Sequence, residues 1–126
     1  MYIYSSNDEA AIDGTFSELQ DVANAISLLK YGETISFDAS LDTEATPYDS
    51  LLNKIQLSCN GSKIKSTISN QVLNIELSEK SKEIVASYFS SFTSESTPGD
   101  HVHFDKYGNE EYMSQESLDV VIGIKQ

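Results

Sequence analysis

The spacing of apolar residues switches between two periods along the first third of the chain. Tyr2-Ile3-Tyr4 and Ala10-Ala11-Ile12 are short runs of extended type, followed by Asp13-Gly14, a turn signal. Beyond it Phe16, Leu19, Val22, Ala23, Ile26 and Leu29 recur at helical spacing, and Gly32 supplies a stop. Thr15-Phe16-Ser17-Glu18 has the spacing of a capping box. There the Thr15 hydroxyl accepts the Glu18 amide proton while the Glu18 carboxylate reaches back. The pattern predicts a first helix over 16–31.

Alternation returns at Thr34-Ile35-Ser36-Phe37-Asp38, a half-buried strand, and gives way to an acidic, breaker-rich loop from Leu41 to Asp49 that carries Asp42, Glu44 and Pro47. Ile55, Leu57 and Cys59 alternate up to Asn60-Gly61, the dipeptide favoured in type I′ hairpin turns. A two-residue loop there would pair Cys59 with Ser62 and Leu57 with Ile64, leaving Ile55, Leu57, Cys59 and Ile64 on one face. Val72 to Leu77 alternates with Leu73, Ile75 and Leu77 inward. Ser78 is placed to cap a second helix with an apolar stripe of Ile84, Val85, Tyr88, Phe89 and Phe92. A polar loop closes on Pro98-Gly99, His101-Val102-His103-Phe104 is strand-like, and Tyr107-Gly108-Asn109 is a turn. The nearly continuous apolar run from Leu118 to Ile124 predicts a last strand in a central position. The expected fold is α+β: one domain over residues 1–126, with an antiparallel or mixed sheet of about five to seven strands and two helices packed on one face.

Composition narrows the possible functions. A chain of 126 residues suffices for one core without staples, and its single cysteine, Cys59, excludes an intrachain disulfide or a thiolate zinc cluster. No apolar run approaches the ~20 residues needed to span a bilayer, and no N-terminal stretch resembles a signal peptide, so a cytoplasmic protein without a membrane partner is expected. Twenty acidic residues oppose eight basic ones, a net charge of −12, and all eight are lysine. Without arginine the chain lacks the fork that grips phosphate and stacks on bases. Its negative field repels polyanions and speeds encounter with cationic surfaces. Nucleic acid is therefore a poor candidate and is not expected as a partner, and a basic protein is favoured.

Candidate chemistry is sparse. His101, His103 and Asp105 would share one side of a strand, and two imidazoles with a carboxylate are a known ligand set for zinc or iron. Residues four apart on a strand lie ~13 Å from one another, however, so these three cannot meet at one ion unless Glu110 or Glu111 completes the set. The expectation is no metal and no cofactor, with the histidines packed beside the second helix or facing a partner. Cys59 falls among apolar neighbours, where a thiol is inert. No nucleophile elbow, phosphate loop or dinucleotide fingerprint occurs, so no enzymatic activity is expected. The acidic residues concentrate in three tracts: Asp8-Glu9, the loop carrying Asp38, Asp42, Glu44 and Asp49, and the segment from Asp100 to Glu116. The third interleaves carboxylates with aromatics, the ingredients of a tight interface. Its Asp100, His101, His103, Asp105, Tyr107, Glu110, Glu111 and Tyr112 are the candidate partner-binding residues. The loop from Asp38 to Asp49 is the rival surface.

Two stretches also carry a family likeness. Asp8-Glu9-Ala10-Ala11-Ile12-Asp13-Gly14-Thr15-Phe16-Ser17-Glu18-Leu19 reads as strand, glycine and capped helix. His101-Val102-His103-Phe104-Asp105 precedes Gly108 and then Ser117-Leu118-Asp119-Val120-Val121-Ile122. Together they resemble the small immunity proteins of bacterial polymorphic-toxin and contact-dependent growth inhibition systems, in particular immunity protein family 32. The resemblance covers the two ends of the chain, and the central section with Asn60-Gly61 lies outside it. It implies a cytosolic protein that binds the C-terminal domain of a cognate toxin, many of which are basic nucleases, and blocks it. It assigns no catalytic residue. Two other readings stay open on the residues alone: an acidic nucleic-acid mimic that inhibits a DNA-binding protein, and a small metal-dependent enzyme using His101 and His103.

Overall fold

The computed structural model describes residues 1–105, 109 and 111–125. Among them the fold is α+β, with two helices and nine strands divided between two mixed sheets rather than gathered in one. The strands are β1 (Tyr2–Ser5), β2 (Glu9–Gly14), β3 (Thr34–Asp38), β4 (Ser50–Leu51), β5 (Lys54–Cys59), β6 (Lys65–Ser69), β7 (Val72–Leu77), β8 (His101–Phe104) and β9 (Asp119–Ile124). The helices are α1 (Phe16–Leu28) and α2 (Lys82–Phe89). A five-stranded sheet runs in the order β4-β1-β2-β9-β8, and a four-stranded sheet in the order β3-β5-β7-β6. β9 lies parallel to β2 and antiparallel to β8, so the apolar run of the last strand does occupy an interior position. α1 and α2 pack on each other, α1 against β2 and α2 against β8, where Tyr88 stacks on Phe104 with ring centroids 5.0 Å apart. Both helices thus cover one face of the five-stranded sheet. Their stripes and the inner faces of both sheets feed one apolar core.

The start of α1 follows the predicted capping box. Glu18 N–H donates to Thr15 Oγ1 at 3.1 Å, and Thr15 N–H donates to Glu18 Oε1 at 2.9 Å. Glu18 also pairs with the Met1 ammonium at 2.6 Å and with Lys125 Nζ at 3.7 Å. Burial alone would raise the Glu18 pKa, but the hydrogen bonds from the ammonium and from Thr15, with the charges of the ammonium and Lys125, prevail and hold it at about 2. A carboxylate with a depressed folded-state pKa stabilises the fold above its unfolded value, and that contribution fades as pH falls through the folded one. Stability should accordingly drop between pH 4.5 and about 2 more steeply in the native chain than in Glu18→Gln. Urea unfolding of both at pH 7 and pH 3 checks this, and parallel losses would contradict it. The helix ends at Leu28, earlier than its apolar spacing predicts, because Leu29 is already extended and its carbonyl accepts from Lys82 Nζ at 2.7 Å. Ser78 opens a turn rather than capping α2. Its Oγ accepts from the Ser81 N–H, and the helix begins at Lys82.

The hairpin expected at Asn60-Gly61 is not formed. β5 pairs with β3 and, in parallel, with β7, while β6 pairs with β7. The left-handed backbone of a two-residue hairpin falls instead on Asn70 and Gln71, with φ of 52° and 62°, between the paired residues Ser69 and Val72. Burial explains the choice. The segment after Gly61 carries one large buried side chain, Ile64, among Ser62, Lys63 and Lys65, whereas β7 brings Leu73, Ile75 and Leu77 opposite Ile55, Leu57 and Cys59, all six buried. Gly61 instead permits a close approach: its N–H donates to the Leu77 carbonyl at 2.9 Å, and a Cβ there would lie 3.2 Å from the Lys63 carbonyl. Because Gln71 occupies a conformation that favours glycine, Gln71→Gly should raise stability by about 0.5–1 kcal/mol in urea unfolding. A loss would mean that the Gln71 side chain matters more than its backbone.

The expected face of Cys59 holds despite the altered pairing. The residue is fully buried in the core, with its Sγ 3.7 Å from Glu79 Oε1. Burial pushes the thiol pKa up, and the Glu79 charge and hydrogen bond push it further the same way. The native thiol should therefore react slowly with a disulfide reagent, and Cys59→Ser should cost about 1–2 kcal/mol by burying a hydroxyl whose polar neighbour, Glu79, replaces only part of its hydration. Rapid labelling of the folded chain would contradict this assignment.

Candidate interaction face

With both helices on the inner side, the outer side of the five-stranded sheet is flanked among the described residues by a loop carrying Thr43 and Tyr48 and by no helix. Strand register sets out two rows across it. One runs Tyr2, Asp13, Gly123, His101, and the other Tyr4, Ala11, Val121, His103. Tyrosines stand at one end of each row and histidines at the other, over a floor of small residues. The result is a groove of about 600 Å³ whose rim includes Tyr48, Asp100 and Lys125. Tyr48 comes from the loop before β4 and stacks on Tyr4 at 5.3 Å, and Tyr4 in turn lies 6.3 Å from Tyr2. Gly123 lets Asp13 Oδ1 and the Asp100 carbonyl approach closely, since a Cβ there would lie 3.3 Å from each.

The electrostatics of this face are those of gathered carboxylates. Tyr2 has its hydroxyl pKa raised first by a hydrogen bond to Asp42, then by burial and the Asp42 charge. For Tyr4 the causes are burial and then Asp13, and for Tyr48 burial and then Glu9 and Asp13. Burial also raises the Asp13 carboxyl, with Lys125 partly opposing it. The tracts at Asp8-Glu9, in the loop around Asp42, and at Asp100 are far apart in sequence, yet all contribute to this one face.

The predicted partner-binding segment does not lie on a single surface. Asp100 and His101 are exposed at one edge of the groove, and His103, also exposed, lies beside His101 with the two imidazole rings 5.1 Å apart; His101 Nδ1 is 2.9 Å from the Gly99 carbonyl. Asp105 lies beyond the end of β8, where its charge acts on Tyr88 of α2 rather than beside the histidines. Tyr107 and Glu110 fall outside the described residues. Glu111 and Tyr112 line a separate cleft of about 500 Å³ with Tyr31, Glu79 and Lys80. Among the described residues no three histidine, cysteine or acidic side chains are placed to hold a metal ion.

Sequence reading alone passed over Tyr2, Tyr4, Asp13 and Tyr48 as binding residues. The available signal was the alternation in Tyr2-Ile3-Tyr4, which puts both tyrosines opposite the buried Ile3. No helix among the described residues is long and apolar enough to cross a membrane. Comparison with protein families, curated proteins and solved structures finds no match to this chain.

Proposed function

We propose that the chain is a cytoplasmic immunity protein that binds a cognate basic toxin domain through the outer face of the five-stranded sheet and neutralises it by occlusion. The observation that carries this reading is the gathering of Glu9, Asp13, Asp42 and Asp100 around Tyr2, Tyr4 and Tyr48 on a face no helix covers. Carboxylates speed encounter with a cationic surface, and tyrosines supply rigid contact area at low entropic cost. The overall charge of −12 acts in the same direction at longer range. Blocking a nuclease requires only a complementary surface, so the binder needs no chemistry of its own.

Co-expression with the toxin domain encoded beside the gene tests this. Growth should be rescued and the two chains should co-purify as a complex that high salt weakens. No rescue and no complex would refute the proposal. Rescue by a chain with Asp13, Asp42 and Asp100 neutralised would leave the binding activity but remove this face from it.

A further inference from the structure

We infer that the groove on this face receives one arginine side chain of the basic partner, with its guanidinium held by Asp13 and laid against the Tyr4–Tyr48 pair. The inference rests on the function proposed above and names the chemistry the site selects. Asp13 is half-buried at the floor of the groove, and among the described residues no hydrogen-bond donor reaches its carboxylate. A half-buried carboxylate that no donor of its own chain reaches keeps acceptor capacity for a ligand. Burial lifts its pKa, as expected for a charge whose partner is missing.

The groove already shows a preference for cations. Lys125 Nζ sits 4.8 Å from the Tyr2 ring centroid, and its charge is the one that opposes the shift at Asp13. It is also held by Glu18, at 3.7 Å, and so is shared rather than dedicated to Asp13. A planar guanidinium can satisfy both carboxylate oxygens at once and stack on an aromatic ring, whereas an ammonium offers a single point charge. The chain contains no arginine of its own to occupy the place.

The test is an NMR titration of the whole ¹⁵N-labelled chain with blocked Gly-Arg-Gly, Gly-Lys-Gly and Gly-Gln-Gly tripeptides, and separately with poly-L-lysine. The arginine peptide should give saturable shifts at the amides of Ala11 to Asp13 and Val121 to Gly123. It should bind on the order of tenfold tighter than the lysine peptide, and the glutamine peptide should leave these amides unmoved. Asp13→Asn removes the unsatisfied charge without changing shape, so it should fold at least as stably and lose the arginine shifts. Tyr48→Leu should weaken binding, and Glu83→Gln on α2, which removes the same unit of charge elsewhere, should not. Suppose poly-L-lysine binds in a salt-dependent way while the arginine peptide gives diffuse shifts or ignores Asp13→Asn. The arginine site is then wrong and the acidic binding face stands. Should poly-L-lysine also fail to bind, the function proposed above fails with it.

Discussion

Replacing Asp13, Asp42 and Asp100 together by their amides should slow association with the proposed basic partner by about tenfold or more at low salt and flatten the salt dependence of the rate. The three carboxylates come from β2, the loop before β4, and the turn before β8, and they act on one groove rim. Their fields add over the distance at which encounter is decided, so the effect falls on the association rate. Dissociation should respond less, except for the share that Asp13 contributes from the groove floor. The tyrosines should divide the other way. Tyr48→Ala removes the ring stacked on Tyr4, and at a true anchor the loss is about 2 kcal/mol or more, expressed as faster dissociation. The control surface is the separate cleft at Tyr31 and Tyr112, where Glu79→Gln with Glu111→Gln removes charge away from the groove. Stopped-flow association of both variants with the toxin domain over a salt series decides between the faces. Loss of steering in the cleft variant, with native behaviour in the groove variant, would assign the partner to the wrong side of the molecule.

The largest stability loss is expected at Phe104. This ring is fully buried, stacks on Tyr88, and joins β8 to α2 at the point where Phe104 pairs with Val120 of β9. Phe104→Ala should cost about 3–5 kcal/mol, because the lost transfer free energy is compounded by a cavity that close-packed neighbours cannot collapse. That is a large part of the ~5–15 kcal/mol that holds a domain of this kind together. Denaturant unfolding measures it, with His103→Ala as the comparison. His103 neighbours Phe104 in β8 but faces outward and is exposed, so its loss should stay within about 0.5 kcal/mol. Comparable costs for the two would mean that the strand's inner and outer sides have been exchanged.

Elements governed by local chemistry were legible from the residues. β3 and β7 span the predicted stretches, and β8 coincides with His101-Val102-His103-Phe104. The Thr15–Glu18 capping box forms as its spacing predicts, because both of its hydrogen bonds close within one helical turn. The inward positions Leu73, Ile75 and Leu77 follow from alternation alone. The hairpin at Asn60-Gly61 misled because a turn preference of a few tenths of a kcal/mol to about one cannot outweigh three buried side chains on a competing strand. β7 offers those side chains, and β6 does not.

Sequence by itself determined the fold class, the two helices, most strand positions, the burial of Cys59 and the net charge of −12. Each of these depends on neighbours within a few residues or on a sum over the whole chain. Tertiary structure alone decided how the strands divide into two sheets, that β5 lies beside β7, and where the acidic groups meet. The groove exists because parallel pairing of β2 with β9 puts Asp13 beside Gly123, because β1 carries Tyr2 and Tyr4 to one flank, and because a distant loop folds Tyr48 onto Tyr4. Glu111 and Tyr112, close in sequence to His103, end in another cleft for the same reason. Alternation along a strand says which side chains share a face, but only the pairing of strands, set by the burial of their apolar sides, says which faces meet.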